Sequence, residues 1–286
     1  MEYDGKLVTF DKKCVLGEGA AATVFSGKWG TQNVAIKRVQ TFRFSVREES
    51  TLKQIGHHTN VVDCFGILKD DDFIYVILEL CHATVENYCR GEYNGMVPTD
   101  LQALYQMADG LHFIHSKNLA HRDISTSNVL IKLTADGGVV MKIADFGVCK
   151  SVSENGSLSM SGNGHKGTIT FMAPELLKQI MQQTDESDCA SNESPGQIRG
   201  HISNDIFSLG CVFYRFLTKN GHPFMEPVMD GYDKIKLNIL TNKQFLELLS
   251  EEQSFSKALI TKMIHPEKDK RPQLDDIKKE LSPYLQ

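Results

Sequence analysis

Three oxygen-bearing side chains lie near one another in the middle of the sequence. Asp123 and Asn128 belong to the segment His-Arg-Asp-Ile-Ser-Thr-Ser-Asn, and Asp145 opens an Asp-Phe-Gly tripeptide that follows a predicted strand hairpin. An Asp can orient or deprotonate an attacking hydroxyl, whereas Asn and Asp supply the hard oxygen ligands that Mg²⁺ prefers. The pattern therefore predicts a phosphoryl-transfer site that handles a nucleoside triphosphate.

Residues near the N-terminus could hold that nucleotide. Gly17 and Gly19 lie between two strand signals, where glycines let a hairpin backbone close over phosphates, with Ala22 at the position of a third glycine. A Gly-x-Gly sequence is more often a structural turn without a ligand-binding role. In Val-Ala-Ile-Lys, Ala35 and Lys37 share one strand face, so Ala35 could floor an adenine pocket while Lys37 reaches the phosphates. The alternative for Lys37 is an exposed charge at a strand end.

A carboxylate partner for Lys37 is predicted on the helix that follows. Residues 47–55 show helical periodicity, and Glu48 shares the apolar face with Leu52, whereas Glu49 lies on another face. Because an inward-facing carboxylate can reach a buried Lys, we predict that Glu48 and not Glu49 pairs with Lys37.

Composition limits the class of protein. The chain has 286 residues, 41% of them hydrophobic, which suits two folding units with a buried core. The formal net charge is −5, and Lys and Arg are scattered instead of forming a basic stripe. We therefore expect no nucleic-acid partner.

Cysteine usage and hydropathy indicate the compartment. The seven cysteines are odd in number and contain no Cys-x-x-Cys pair, which favours reduced thiols over disulfides or a zinc site. The N-terminal residues lack a signal-peptide pattern, and no apolar run approaches the roughly 18 residues that span a bilayer. We expect a soluble, cytoplasmic chain without a membrane segment.

Periodicity divides the chain into two lobes. Residues 1–81 read as a small antiparallel β-sheet lobe with one helix, and residues 82–286 as a larger, mainly α-helical lobe, which gives an α+β, bilobal fold. Two stretches, 151–166 and 181–204, lack periodicity. We interpret the first as a functional loop and the second as a mobile polar insertion. The helices predicted in the larger lobe include residues 206–217, which are apolar on nearly all sides, 255–264 and 274–284.

The order and spacing of the motifs carry a resemblance. Gly17, Lys37, Asp123, Asp145 and the Glu175 of Ala-Pro-Glu follow one another as they do in eukaryotic-type protein kinases. The chain resembles that family over essentially its whole length, and in particular the kinase domain of the inositol-requiring unfolded-protein-response sensor kinase/ribonuclease family. The segments that carry this second likeness are residues 75–85, 145–150, 205–214 and 221–224.

The resemblance implies a bilobal protein-kinase fold, ATP and Mg²⁺ as cofactors, and a role for each motif residue. Asp123 is the expected base, Asn128 and Asp145 the Mg²⁺ ligands, and Lys37, held by Glu48, the phosphate-binding cation. Leu78 is implied at the back of the adenine pocket, with the backbone of Glu79 and Cys81 along the adenine edge. The residues expected around ATP are Leu16, Gly17, Gly19, Val24, Ala35, Lys37, Leu78, Glu79, Cys81, Asn128 and Asp145.

The resemblance also implies structural roles and partners. Asp205 resembles the buried Asp that fixes the catalytic loop, and Arg271 resembles the Arg that pairs with Glu175. Thr168 resembles the Thr that Ser/Thr kinases place against the catalytic Asp123, which favours Ser or Thr as acceptor. A protein substrate is implied and a homodimer is left open. The ribonuclease and transmembrane sensor domains of that family are absent from this chain, so neither RNA cleavage nor membrane anchoring is expected of it.

One position departs from the kinase pattern. Ser125 stands two residues after Asp123, where Ser/Thr kinases carry a Lys. Loss of one preorganised positive donor costs roughly 10² to 10³ in rate, a handicap that could still leave measurable though slow turnover. Two hypotheses therefore remain: an active Ser/Thr kinase, and an ATP-binding pseudokinase that acts as a scaffold or allosteric partner.

The loop after Asp145 offers a means of regulation. Arg122 directly precedes Asp123, and such an Arg can pair with a phosphate on that loop and order it. Among the available hydroxyls we favour the group from Ser157 to Ser161 as phosphorylation sites, although by composition these could be ordinary loop residues.

Overall fold

The computed structural model describes residues 1–19, 22–160, 167–187, 198–226 and 231–284, and it confirms the predicted α+β, two-lobed architecture. The N-terminal part forms a six-stranded antiparallel sheet in the order β1-β2-β3-β4-β6-β5. Its strands are β1 (Glu2–Tyr3), β2 (Lys6–Glu18), β3 (Ala22–Trp29), β4 (Gln32–Gln40), β5 (Cys64–Lys69) and β6 (Phe73–Glu79).

Alternation along β4 decides which side chains enter the core of this sheet. Val34 and Ile36 are completely buried and pack with Ile77 and Tyr75 of β6. In the register of β4 with β6, Ala35 lies opposite Leu78. Successive side chains of a strand point to opposite faces, so Ala35 and Lys37 lie together on the face away from Ile36.

The one long helix of this lobe is α1 (Val46–Ile55), one residue longer than predicted. The Ser45 hydroxyl accepts a hydrogen bond from Glu48 N at 3.1 Å, which satisfies a free N–H group at the helix start. Gly56 ends the helix with φ at +74°, a conformation that glycine adopts without a Cβ penalty. Glu48 is buried, as the periodicity predicted.

The C-terminal lobe is built around α3 and α5. The predicted buried helix is confirmed as α5 (Ser203–Thr218), and twelve of its residues are buried. A 3₁₀ turn over Ser282–Tyr284 follows the last helix, which ends at Leu281 and not at residue 284 because Pro283 has no N–H to continue it. The helices are α2 (Val85–Cys89), α3 (Asp100–Ser116), α4 (Pro174–Ser187), α5 (Ser203–Thr218), α6 (Tyr232–Leu240), α7 (Ser254–Met263) and α8 (Leu274–Leu281).

The polar motif residues Asn128 and Asp145 flank a hairpin of short strands at the junction of the lobes. The hairpin of β9 (Val129–Leu133) and β10 (Val139–Ile143) begins directly after Asn128 and ends just before Asp145. Ala144 N donates to Asn128 O at 2.9 Å, which closes the open end of the hairpin. The remaining short strands are β7 (Ala83–Thr84), β8 (Leu119–Ala120), β11 (Lys150–Ser151), β12 (Ser157–Met160) and β13 (Ile198–His201).

The two aperiodic stretches contain more regular structure than the sequence indicated. Helix α4 continues to Ser187, and β13 and the start of α5 also fall within 181–204, so the expected lack of regular structure is wrong at both ends of that range, while its interpretation as a mobile insertion stays a prediction. Strand β12 pairs antiparallel with β13, and Leu158 and Ile198 are buried there. Strands of four residues leave almost no period, which is why pairing between distant segments escaped prediction. Residues 161–166 and 188–197, including Ser161, lie outside the described residues.

No helix within the described ranges has both the length and the apolar character needed to cross a membrane.

Candidate active site

Lys37 lies between two carboxylates at the junction of the lobes. Its Nζ is 2.8 Å from Asp145 Oδ1 and 3.5 Å from Glu48 Oε1. Strand β4 supplies the Lys, α1 supplies Glu48, and the segment after β10 supplies Asp145. The predicted choice of Glu48 over Glu49 agrees with this geometry, because Glu49 instead pairs with Lys53 on the exposed side of α1.

The charges of this triad stabilise one another. Burial by itself would lower the pKa of Lys37, but the carboxylates of Asp145 and Glu48 outweigh it and raise that pKa above its ordinary value. Burial would likewise raise the pKa of Asp145, but the Lys37 ammonium and the Gly147 N–H outweigh it and lower that pKa. Lys37 is therefore a cation and Asp145 an anion at neutral pH, as phosphate binding and metal binding require.

Asp123 is fixed by three hydrogen bonds. Its Oδ1 accepts from Thr168 N at 2.8 Å and from Thr168 Oγ1 at 3.0 Å, and its Oδ2 accepts from Asn128 Nδ2 at 3.0 Å. Asn128 Nδ2 also donates to Asp123 O at 2.8 Å. The structure thus brings the predicted base, the predicted metal ligand and Thr168 into direct contact.

The backbone before Asp123 is strained, and Asp205 holds it in place. Arg122 has φ at +72°, which is unfavourable for a residue with a Cβ. Asp205 accepts from the N–H groups of His121 and Arg122, each at 2.8 Å, and its Oδ2 lies 2.9 Å from His115 Nε2. Burial would raise the pKa of Asp205, but the hydrogen bond and charge of His115 and the backbone donors lower it. The structural role that the resemblance implied for Asp205 agrees with these contacts.

The Ala-Pro-Glu segment is anchored in the same lobe. Arg271 Nη1 and Nη2 lie 2.7 and 2.8 Å from the two carboxylate oxygens of Glu175, so the expected ion pair is present and bidentate. The Arg271 side chain is completely buried.

Asp145 is directed toward Lys37 by its own backbone and by Phe146. Its φ is +65°, and its Oδ1 also accepts from Gly147 N at 3.2 Å. Phe146 is buried and packs edge-on against the ring of His121. With the aromatic ring inside the core, the carboxylate points into the cleft, where its side chain is 46% exposed.

The glycine-rich turn lies in a β-hairpin, as predicted. Strands β2 and β3 pair with Gly17 opposite Val24, and Gly19 N donates to Ala22 O at 2.9 Å. A Cβ on Gly17 would meet no atom of the described residues within 4 Å, so that part of the chain leaves space beside the backbone there. Leu16 is 52% exposed at this turn. Ala20 and Ala21, at its tip, lie outside the described residues.

The segment after β6 leaves a backbone donor available. Cys81 N–H makes no hydrogen bond to any part of the chain that the structure describes. Leu78, two strand positions from Val76, lines a small cavity together with Lys37 and Phe146. These positions suit an adenine edge at Cys81 with Leu78 behind it, as the resemblance implied.

The oxygen donors fit Mg²⁺. The Asn128 amide nitrogen is engaged by Asp123, which leaves Oδ1 without a hydrogen bond among the described residues, and the same holds for Asp145 Oδ2. An amide oxygen and a carboxylate oxygen are the hard ligands this ion prefers when it also binds substrate phosphates. Asn128 and Asp145 could therefore hold the metal of Mg-ATP.

Ser125 is buried as well as unusual. The residue is 2% exposed, and its Oγ has no hydrogen-bond partner in the described ranges. The next residue, Thr126, is also buried, but its hydroxyl donates to Glu86 Oε2 at 2.5 Å. The catalytic loop thus provides no positive side chain at position 125.

The loop after Asp145 lies beside a group of cations. Lys150 Nζ donates to the carbonyl of Ser159 and lies 3.3 Å from its hydroxyl. Burial, and then the nearby positive charges of Arg47 and Arg122, lower the pKa of Lys150. Arg122 donates to Val148 O at 2.9 Å, while its buried Nε has no partner among the described residues. Ser159 therefore lies next to Lys150, with two further cations close to that Lys.

Several residues of the site escaped sequence reasoning. The cavity beside Lys37 is also lined by Leu52, Val62 and Val76. The period of two in β6 could have identified Val76, because it shares a face with Leu78. Glu79 was predicted to act only through its backbone. Its side chain is buried and forms ion pairs that no local sequence pattern predicts.

The sequence matches a known protein family and several curated proteins. The family described as "Protein kinase domain" matches residues 10–282. Among curated proteins, the serine/threonine-protein kinase/endoribonuclease IRE1 of Hypocrea jecorina (strain QM6a) is 31% identical, over 93% of this chain and 23% of its own length. The serine/threonine-protein kinase/endoribonuclease IRE2 of Homo sapiens is 32% identical, over 93% of this chain and 27% of its own length.

A more distant relative is the probable serine/threonine-protein kinase zyg-1 of Caenorhabditis briggsae, which is 25% identical over 95% of this chain and 33% of its own length. The chain thus spans about a quarter to a third of these relatives. Since the family match covers nearly the whole sequence, the chain belongs to the protein kinase family.

Proposed function

We propose that this chain transfers the γ-phosphoryl group of ATP to Ser or Thr hydroxyls of proteins, its own included. The observation that carries the proposal is the assembly of Lys37, Glu48 and Asp145 beside an Asp123 whose carboxylate is already oriented by Thr168. Phosphoryl transfer depends mainly on positioning and electrostatics, and these contacts supply both.

The reaction assigns one task to each group. Lys37 binds the α and β phosphates, and the backbone of the glycine-rich turn covers them. Asp123 orients the acceptor hydroxyl and accepts its proton. The hydroxyl oxygen bonds to the γ-phosphorus as the bond to the β–γ bridging oxygen breaks, which leaves ADP. When bound, Mg²⁺ neutralises charge on the phosphate oxygens, with Asn128 and Asp145 as its ligands.

Thr168 supports Ser or Thr as the acceptor. Its hydroxyl donates to the same Asp123 oxygen as its own N–H, so the two bonds fix the carboxylate that would orient the acceptor hydroxyl. The relatives whose names describe them as serine/threonine kinases support the same substrate class.

The second candidate function is an ATP-binding pseudokinase that serves as a scaffold or allosteric partner. Ser125 is the observation that favours it, because the buried hydroxyl supplies no charge to the migrating phosphoryl group. Both functions predict that Mg-ATP stabilises the folded chain, since any ligand of the native state does so. Only phosphotransfer separates them.

The decisive experiment measures phosphate incorporation from Mg-ATP into a Ser/Thr protein substrate by the wild type and by Asp145→Asn. The control is Asp71→Asn, an exposed residue in the turn between β5 and β6. We expect slow turnover that Asp145→Asn abolishes and Asp71→Asn leaves intact. Turnover that survives Asp145→Asn would refute the assignment, and ATP binding without any turnover would establish the pseudokinase.

Phosphorylation of the loop after Asp145 is the proposed regulation. The 3.3 Å separation of the Ser159 hydroxyl from Lys150 Nζ supports Ser159 as the acceptor, because a phosphate there would meet Lys150 with Arg122 and Arg47 nearby. Ser157 shares the face of β12 with Ser159 and is the second candidate.

The proposed location is the cytoplasm, and the homodimer stays a prediction. All six cysteines in the described ranges are free thiols, which suits a reducing compartment. Burial raises the pKa of Cys64 to about 11 and that of Cys81 to about 12, so both thiols stay protonated and unreactive at neutral pH.

A further inference from the structure

Three charged side chains form a cluster at the segment where the adenine edge is proposed. Glu79 ends β6, and its side chain is 7% exposed. Its Oε1 forms an ion pair with Lys132 of β9, and its Oε2 lies 2.8 Å from Nζ of Lys142 on β10. Lys142 is itself 5% exposed. We refer to these three residues as the Glu79 cluster.

The cluster also fixes the segment that leads into β5. Lys142 Nζ donates to Val61 O at 3.1 Å, and Asp63 N donates to Glu79 Oε2 at 3.2 Å. In return, Glu79 N donates to Asp63 O at 2.9 Å. Glu79 is therefore held by its main chain and its side chain at once, so its carbonyl and the residues after it have little freedom to rotate.

The two Lys residues come from the hairpin that carries the proposed metal ligands. Lys132 lies in the strand that begins after Asn128, and Lys142 lies three residues before Asp145. Their common bond to Glu79 connects the proposed adenine edge in one lobe to the proposed metal ligands in the other. The link thus couples the position of the proposed adenine edge to that of the proposed metal ligands.

Stability alone gives no reason for such a cluster. Taking charges out of water costs several kcal/mol per ion, and apolar residues of similar volume are often as stabilising. What ion pairs add is direction, because each bond is made at one distance and one orientation. The ion pairs are therefore better explained by a role in holding the main chain in one position.

We propose that the Glu79 cluster positions the main chain from Glu79 to Cys81 for the purine ring of the nucleotide, so that Glu79, Lys132 and Lys142 are positioning residues for ATP. The proposal rests on the proposed function, in which the Cys81 N–H, without a hydrogen bond among the described residues, meets the adenine edge. Contact with the purine is made by the main chain, and the three side chains act through it.

The test compares three Lys→Met variants of the full chain by titration calorimetry with Mg-ADP and Mg-GDP, well below each melting temperature. Lys142→Met and Lys132→Met each remove one ion pair of the cluster. Lys278→Met is the control matched to Lys132→Met, because Lys278 is 22% exposed, close to the 29% of Lys132, and is bonded to a carboxylate, Asp109 at 2.5 Å, but lies on α8.

We expect Lys142→Met to raise the Kd for Mg-ADP about tenfold, roughly the loss of one neutral hydrogen bond. The preference for ADP over GDP should fall at the same time, since a displaced edge no longer discriminates purines. Lys132→Met, whose side chain is 29% exposed in the wild type, should show a smaller change of the same kind. Lys278→Met should lower the melting temperature without altering either Kd.

The positioning role would be overturned if both cluster variants kept the wild-type affinity and purine preference and showed only a lowered melting temperature. The proposed function would then remain intact. Absence of nucleotide binding by the wild type would overturn the proposed function and this inference with it. If Lys142→Met does not fold, the more exposed Lys132→Met decides the question by the same criteria.

Discussion

Substitution of Ser125 by Lys tests whether the missing charge limits the phosphotransfer that we propose. The variant restores a positive charge two residues after Asp123, the position from which a Lys could approach the migrating phosphoryl group. We expect Ser125→Lys to raise kcat and to leave KM for ATP nearly unchanged, because the added charge meets the phosphoryl group mainly in the transition state.

The structure limits the size of this gain. One preorganised donor is worth roughly 10² to 10³ in rate. Position 125 is only 2% exposed, however, so the Lys stem must leave a packed site and loses up to about 2 kcal/mol of side-chain entropy when it is fixed. At 2 kcal/mol that loss offsets about 30-fold of the gain, which leaves an expected increase of about 3- to 30-fold.

The control is Ser125→Ala. Since Ser125 Oγ has no hydrogen-bond partner among the described residues, its removal forfeits no bond and relieves the desolvation of a buried hydroxyl, which costs about 1–3 kcal/mol. We expect an unchanged rate and a melting temperature that is equal to or a few degrees above that of the wild type.

The assay is steady-state phosphotransfer to a Ser/Thr substrate with varied Mg-ATP, with melting curves of each variant. A folded Ser125→Lys that binds ATP normally and shows the wild-type kcat would refute the reasoning that the missing charge limits the reaction. A large loss of rate in Ser125→Ala would refute it differently, because the hydroxyl itself would then take part.

Three further predictions concern the surrounding contacts. Glu48→Gln should lower kcat/KM for ATP on the order of tenfold in steady-state kinetics, because a neutral partner holds Lys37 less firmly. An unchanged value would show that Glu48 has no role in positioning Lys37 for the reaction. Asp205→Asn should cost at least about 2 kcal/mol in urea unfolding at pH 7, since an amide cannot serve both backbone N–H groups that the carboxylate binds. The pKa of Asp205 is lowered in the folded state, so the stability that its ionised carboxylate contributes is fully present above the ordinary Asp pKa of about 3.9 and is lost as pH falls further. Below that pH, the free energy of unfolding should therefore fall less steeply in Asp205→Asn than in the wild type. Equal slopes would contradict this assignment. Incubation with Mg-ATP should place phosphate on Ser159, seen by mass spectrometry and absent in Asp145→Asn, whereas a loop without phosphate would remove the proposed regulation.

Sequence by itself determined the parts of this protein that depend on local chemistry and period. The choice of Glu48 over Glu49 followed from the apolar face of one helix, and the shared face of Ala35 and Lys37 followed from the period of a strand. The order of the motifs indicated the fold, because their types and spacing suit one arrangement of phosphate-handling groups.

Only the tertiary structure decided what depends on segments that meet from far apart in the chain. The 2.8 Å contact of Lys37 with Asp145 joins residues on different lobes, and the pairing of β12 with β13 joins strands too short to leave a period. Burial is likewise a property of the assembled fold, so the sequence could show that position 125 lacks a charge but not that its hydroxyl is enclosed without a partner. For the same physical reason Glu79 was predicted to act through its backbone alone, while the fold surrounds its carboxylate with two lysines brought there by a distant hairpin.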